Sequence, residues 1–373
     1  MALKLLIVDD SALMRRQLSQ LFEAEGDFVI RTARTGKEAI EENSTFLPDV
    51  ITLDINMPEM DGLTALSFLM ASRPVPVVMV SSLTERGALS TFEALALGAV
   101  DYIAKPDGTI SLSIDVIKGE LVRKVRTAAR ARPRQRDASS ALQNGSASMP
   151  SASPRLPPTT TESAARSNMG VSAKVAAGRH HEGVVLIGVS TGGPGTLELI
   201  LPKLPADFPL PIVIAQHMPG SFTGPFANRL NALYPIHVVE ANKPMPLAAG
   251  TVYIGKGGAD VVISQRGSQK IVMPKPECKT QLWHPSVELL GQSALAHFQP
   301  QQIIAVMLTG MGNDGSQAFA SIHQQGGRTI AESEESCVVF GMPKELIERQ
   351  GAGMVLPAHK IAAQVLRWVQ EAR

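Results

Sequence analysis

The sequence predicts an α/β protein of two domains, each built on a doubly wound parallel sheet, and three observations carry that prediction. Apolar strand-like runs alternate with amphipathic segments in the first third of the chain, and the same alternation returns in its second half. Between them lies a stretch of Ser, Ala, Pro, Thr and Asn that sustains neither a helical nor a strand period. The expected division is a first domain over 1–125, a flexible linker over 126–181 and a second domain over 182–373.

In the first domain Leu3–Val8 reads as a strand and Ala12–Glu25 as an amphipathic helix. Val50–Leu53, Val75–Ser81 and Val100–Ala104 follow as strands, with Leu63–Ser72 and Ala88–Leu97 as the helices between them. The linker has few large apolar residues, and its arginines, Arg130, Arg132, Arg134, Arg136, Arg155 and Arg166, read as charges on a solvated tether. Beyond it Val184–Val189, Pro211–Ala215, Ile303–Leu308 and Gly327–Ala331 are apolar runs that end in polar, glycine-rich loops. Open parallel sheets gather their sites at the carboxyl ends of strands, so these loops are where chemistry belongs.

Composition narrows the class. Hydrophobic residues make up 44% and charged residues 18% of 373, the balance of a soluble globular chain. A net charge of +1 supplies no global field for nucleic acid or an anionic membrane. The two cysteines, Cys278 and Cys337, form no CxxC pair and read as reduced and buried. The first residues lack the regions of a signal peptide and the apolar runs are too short to span a bilayer, so a cytoplasmic location without membrane insertion is expected.

Four strand ends of the first domain deliver three carboxylates, a hydroxyl and an amine to one sheet edge. They are Asp9 and Asp10 after the first strand, Asp54 after Val50–Leu53, Ser81, and Lys105 before Pro106. Clustered carboxylates repel unless a hard cation holds them, and an all-oxygen set suits Mg²⁺. With charge neutralised, one carboxylate can attack a phosphoryl group. Asp residues as ordinary turn or capping groups are the competing reading, but Met57-Pro58 and Met60-Asp61-Gly62 after Asp54 make the set specific.

These residues resemble the flavodoxin-like receiver domains of two-component response regulators, over Met1 to about Arg123. The resemblance implies Asp54 as phosphoacceptor, with Mg²⁺ held by Asp10, Asp54 and the backbone carbonyl of Asn56 and with Asp9 hydrogen-bonded behind them. It implies Ser81 and Lys105 as grips on the phosphoryl oxygens, Tyr102 as the aromatic that changes rotamer on activation, and a cis Lys105–Pro106 bond. Glu59 stands where many relatives carry a basic residue.

In the second domain Gly188-Val189-Ser190-Thr191-Gly192-Gly193 follows a strand and precedes a helical pattern. A tight turn there exposes the Ser190 hydroxyl and lets backbone N–H groups face a developing oxyanion. A nucleotide-phosphate cradle or a simple helix cap are alternatives, yet the next strand ends in Gln216-His217 and not in the acidic residue that dinucleotide binding needs. His217 is placed to act as a general base. His237, His297, His323 and His359 receive no role, while His284, between Trp283 and Pro285, fits a substrate groove. The loop Thr309 to Gly315 offers one carboxylate, Asp314, either to orient the base or merely to cap the helix over Gln317–Ile322.

The order Ser190, His217, Asp314 differs from that of α/β-hydrolases. Together with Gln216-His217-Met218-Pro219, Phe222-Thr223 and Gly310 to Gly315, it resembles the α/β doubly wound catalytic domain of the protein-glutamate methylesterases of chemotaxis. The resemblance implies Ser190 as nucleophile, His217 as base and then acid, and Asp314 as orienting carboxylate, with Thr191 and Met311 as candidate oxyanion N–H donors. It implies hydrolysis of glutamate methyl esters on chemoreceptors without a cofactor, with deamidation of receptor glutamines as a second activity. It also implies a histidine kinase as phosphodonor, and a receiver that covers the esterase site until it is phosphorylated. The long linker is expected to permit wide separation and to lower the effective concentration of the inhibitory receiver. A DNA-binding output would need a basic helix-turn-helix, a nucleotide enzyme a different loop, and a silent scaffold would not need all three triad residues.

Overall fold

The computed structural model of the protein describes residues 2–82, 84–105, 110–131 and 182–371. Most of the expected linker and the Lys105–Pro106 bond therefore lie outside the described residues. The first domain runs β1 (Leu3–Val8), α1 (Ala12–Glu23), β2 (Phe28–Ala33), α2 (Gly36–Thr45), β3 (Val50–Asp54), α3 (Gly62–Ser72), β4 (Val77–Ser82), α4 (Glu85–Leu97), β5 (Asp101–Lys105) and α5 (Ile110–Ala128). All five strands are parallel, in the order β2-β1-β3-β4-β5. That order places the carboxyl ends of β1 and β3 side by side, the register that brings Asp9, Asp10 and Asp54 together.

Local signals set the helix starts. Ser11, Thr35, Asp61 and Thr84 each sit at an N-cap and accept a backbone N–H from Met14, Glu38, Thr64 and Gly87 respectively. Helix α5 continues past residue 125 to Ala128, and its side of the sheet holds Leu121, Val122 and Val125 in the core with Leu5, Ile7 and Val50.

The second domain runs β6 (Val184–Val189), α6 (Gly193–Ile200), β7 (Ile212–Gln216), α7 (Gly220–Leu233), β8 (His237–Ala241), β9 (Met245–Pro246), β10 (Thr251–Gly255), β11 (Asp260–Arg266), β12 (Gln269–Lys275), α8 (Val287–His297), β13 (Ile303–Met307), α9 (Ser316–Gln324), β14 (Arg328–Glu332), α10 (Met342–Glu348), β15 (Met354–Leu356) and α11 (Ala358–Glu371). Seven strands pair in parallel in the order β15-β14-β13-β6-β7-β10-β8, and β11, β12 and β9 form a small antiparallel sheet. Alternate residues of the central strands feed opposite cores. Val185, Ile187 and Val189 pack with Leu197, Phe226 and Ile361, whereas Val184 and Leu186 pack with Leu290, Phe319 and Leu346. From β6 the chain winds one way through β7 and returns on the other side at β13, so the strand order reverses between β6 and β13. A crevice at that reversal, beyond the carboxyl ends, is where such a sheet binds its ligand.

The two domains share apolar packing. Helix α4 lies against α7, with the Phe92 ring 5.0 Å from that of Phe226 at 36°, and Tyr102 stacks on Phe222 at 4.8 Å and 21°. Among the described residues no helix is long and apolar enough to cross a membrane. Cys278 and Cys337 are free thiols, as expected, but half-buried and not buried, each lying in a loop, between β12 and α8 and between β14 and α10.

Candidate active site and phosphoacceptor site

At the receiver edge, ligand oxygens of Asp9, Asp10 and Asp54 lie within 4.8 Å of one another. Lys105 Nζ stands 3.0 Å from Asp9 Oδ2 and 2.8 Å from Asp54 Oδ2. An all-oxygen set this close fits a hard dication and no soft one. Burial pushes the Asp54 carboxyl above its ordinary value; the charge of Lys105 works against that and the charge of Asp9 adds to it. Burial works against the Lys105 ammonium, but the two carboxylates outweigh it and hold its proton more tightly than usual. Ser81 is fully buried and donates to the Gly87 carbonyl at 3.1 Å. Glu59 adopts φ +65° and pairs with Lys37 at 3.3 Å on the exposed rim.

At the carboxyl edge of the second domain's parallel sheet three loops converge. Ser190 follows β6, with its N–H donating to the Thr309 carbonyl at 3.0 Å, and a Cβ on Gly310 would fall 2.6 Å from that of Ser190. Only glycine there lets the β13 loop approach the serine turn so closely. Gln216, at the end of β7, donates its side-chain amide to the carbonyls of Ser190 and His217 at 3.0 and 3.1 Å, tying the two strand ends together. His217 Nε2 lies 2.9 Å from Asp314 Oδ2, leaving Nδ1 buried and without a hydrogen-bond partner among the described residues. The Nε2–H tautomer is the one that this carboxylate selects, so Nδ1 carries the free lone pair.

Asp314 is held at the N-terminus of α8. Its oxygens accept from the N–H groups of Val287 at 2.7 Å and Glu288 at 2.9 Å and from the Ser286 hydroxyl at 3.1 Å. Burial pushes the carboxyl up, but the hydrogen bond and charge of His217 and the two backbone N–H groups outweigh it and hold it below the ordinary value. Helix α9 is capped by Gly315, so Asp314 does not cap the helix that follows it. The backbone N–H groups of Thr191 and Met311 donate to no backbone carbonyl among the described residues.

Ser190, His217, Thr191 and Met311 line a cleft of about 420 Å³ whose opposite wall is the receiver, through Asp101, Tyr102, Glu120, Arg123 and Lys124. Thr191 Oγ1 donates to Asp101 Oδ2 at 2.6 Å, and Lys124 Nζ stands 3.2 Å from Asp101 Oδ1. Thr127 of α5 donates to the Met311 sulfur at 2.9 Å. Tyr102 is buried, its hydroxyl unpartnered among the described residues.

His284 lines the cleft and bonds through Nδ1 to the buried Asp260 at 2.8 Å. The sequence reading missed Gln216, Ser286, Asp260, Asp101 and Thr191's side chain as parts of the site. Ser286 carried a signal, since a serine before an apolar helical run marks an N-cap; the others act across the fold and have no local sign.

The chain is similar to known proteins over both of its halves. A family model described as CheB methylesterase matches residues 185–365, and one for the response regulator receiver domain matches 5–114. The protein-glutamate methylesterase/protein-glutamine glutaminase 3 of Rhodospirillum rubrum is 55% identical over 370 residues, 99% of this chain and 97% of that protein. The corresponding protein 2 of Rhodopseudomonas palustris is 48% identical over 366 residues, 98% of each chain. A crystal structure of the Thermotoga maritima CheB methylesterase catalytic domain is 38% identical, covering 51% of this chain and 98% of that one, with a TM-score of 0.48.

Proposed function

The chain belongs to the CheB methylesterase family, and we propose that it is a phosphorylation-gated serine hydrolase acting on chemoreceptor glutamate methyl esters and glutamine amides. The observation that supports this best is the bond between His217 and the helix-held Asp314, with the His217 ring lining the same cleft as Ser190. Ser190 Oγ attacks the ester carbonyl carbon while its proton passes to His217 Nδ1. Asp314 holds the imidazole by its other nitrogen and stabilises the imidazolium. The N–H groups of Thr191 and Met311 receive the oxyanion. Collapse expels methanol, which takes the proton from His217 and leaves an acyl-serine. Water then gives a proton to His217 and adds to the acyl carbon, and the second collapse returns a proton to Ser190 and frees glutamate. With a glutamine side chain the same steps release ammonia.

In the receiver, Asp54 accepts a phosphoryl group from a histidine kinase. Asp10, Asp54 and the Asn56 carbonyl would hold Mg²⁺, with Asp9 behind them, and the dication when bound supplies charge neutralisation at the phosphoryl oxygens. Lys105 and Ser81 grip those oxygens, and Tyr102 moves as they do. The unphosphorylated receiver covers the cleft, which the Asp101–Thr191 bond and the Tyr102–Phe222 stack support. The proposed layout extends the receiver from the expected 1–125 to the end of α5 at Ala128, with a tether from there to 181 and the esterase within 182–373, in the cytoplasm where the methylated receptor domains lie.

The deciding test is methanol release from methylated chemoreceptor membranes by the wild type and Ser190→Ala, with and without a small phosphodonor and Mg²⁺. Release that depends on Ser190 and rises with phosphodonor is expected. Near-normal release by Ser190→Ala would overturn the mechanism.

A further inference from the structure

The indole of Trp283 lies parallel to the His217 imidazole, with ring centroids 5.9 Å apart and planes 7° apart, and both rings line the cleft that holds Ser190. Two independent features fix the indole there. Gly312, at φ +91°, passes so close that a Cβ would fall 2.7 Å from Trp283 Cζ2, so the loop carrying Asp314 is shaped around the tryptophan ring. The segment containing Trp283 is fastened by the buried Asp260, which accepts from the Cys278 N–H at 2.8 Å, His284 Nδ1 at 2.8 Å and the Ser286 N–H at 2.9 Å.

We infer that Trp283 is a positioning residue for His217, holding the plane of its ring and favouring the imidazolium through the negative π-face of the indole. The inference rests on the reading of His217 as general base. Asp314 grips His217 at a single atom, Nε2, and one hydrogen bond leaves the ring free to tilt about that contact. A flat ring alongside removes the tilt and fixes the direction of Nδ1 within the cleft that Ser190 also lines. The two neighbours act in different directions, the carboxylate within the imidazole plane and the indole face outside it, so their effects on the cation add. Tryptophan is the strongest of the aromatic partners for a cation within about 6 Å.

The test uses the full-length protein assayed for phosphodonor-stimulated methanol release. Trp283→Tyr, Trp283→Phe and Trp283→Leu are expected to lower kcat progressively, with Leu lowest by about 2- to 10-fold and KM little changed. The chain has two tryptophans, so in a Trp368→Phe background fluorinated tryptophans can be placed at position 283 alone. Fluorine drains the π-face with little change of shape, and kcat should fall stepwise with each added fluorine. A flat fluorine series, or a Leu variant as fast as Phe, would reduce Trp283 to space filling and overturn the inference. If Ser190→Ala is inactive while the fluorine series is flat, this inference alone fails; if Ser190→Ala stays active, the underlying reading fails first.

Discussion

Replacing Asp101 by asparagine should switch the esterase on without phosphorylation. Asp101 is 5% exposed, and its carboxylate joins Thr191, next to the nucleophile, to Lys124 on α5. Burial works against the Lys124 ammonium, but Asp101 and Glu120 outweigh it and hold its proton tightly, so the carboxylate that meets Thr191 across the domain boundary is backed by a charged partner within its own domain. Asparagine keeps an acceptor for the Tyr102 N–H but removes the charge. A hydrogen bond to a charged group is worth about 1.5–3 kcal/mol against about 1 for a neutral one, so the closed arrangement should lose about 0.5–2 kcal/mol. At about 1.4 kcal/mol per tenfold, the open population and the basal rate rise about 2- to 30-fold while the open form is still the minor one. The ceiling is the rate of fully phosphorylated wild type, so stimulation by phosphodonor shrinks in proportion. The assay is methanol release with and without phosphodonor, beside a thermal melt and phosphoryl uptake to show an intact receiver. An unchanged basal rate in a folded, phosphorylatable Asp101→Asn protein would refute the latch.

Asp54→Asn should retain the basal rate of ester hydrolysis and lose its response to phosphodonor, and chelation of Mg²⁺ should do the same to the wild type; a stimulated rate surviving either treatment would place the switch elsewhere. Asp314→Asn should lower kcat by on the order of 10³–10⁴ through loss of the imidazolium partner and its tautomer control, measurable as the single-turnover acylation rate. The same variant carries a pH signature. The Asp314 carboxyl is held below its ordinary value in the folded chain, so its contribution to stability is fully present above the ordinary aspartate range and is lost as pH falls through and below that range. Melts from about pH 7 to about pH 3 should show the stability gap between wild type and Asp314→Asn closing at the acid end; a gap that widens on acidification would contradict this sign.

The sites were legible where chemistry sits directly at the end of an apolar strand. β1, β3, β4 and β5 announce Asp9, Asp10, Asp54, Ser81 and Lys105, and β6, β7 and β13 announce Ser190, His217 and the loop of Asp314. The edge strand β2 was passed over because residues such as Arg31 and Thr32 leave its faces largely exposed, so no apolar run marks it. The hairpin of β11 and β12 was missed because it belongs to a separate antiparallel sheet outside the parallel alternation. The role of Asp314 shows the limit most clearly. Local sequence offered it as a cap for the helix immediately after it, whereas its carboxylate meets the first N–H groups of a helix that begins at Val287. A cap supplied through space leaves no spacing to read. The contact between the Phe92 and Phe222 rings likewise crosses from one domain to the other, and nothing in either helix marks it.

Strand β5 begins at Asp101 and ends at Lys105. At about 3.3 Å per residue those two positions are about 13 Å apart on one extended segment. One end is paired with Asp54 and the other is fastened to the serine turn. For the construction of hybrid enzymes this makes the strand indivisible. A junction just before β5 would keep the fastening but graft it to a foreign sensing pocket. A junction after Ala128 would import an intact sensor and set an unrelated side chain opposite Thr191. Working hybrids should be those in which residue 101 and residue 191 are chosen as a pair, whichever parent supplies them.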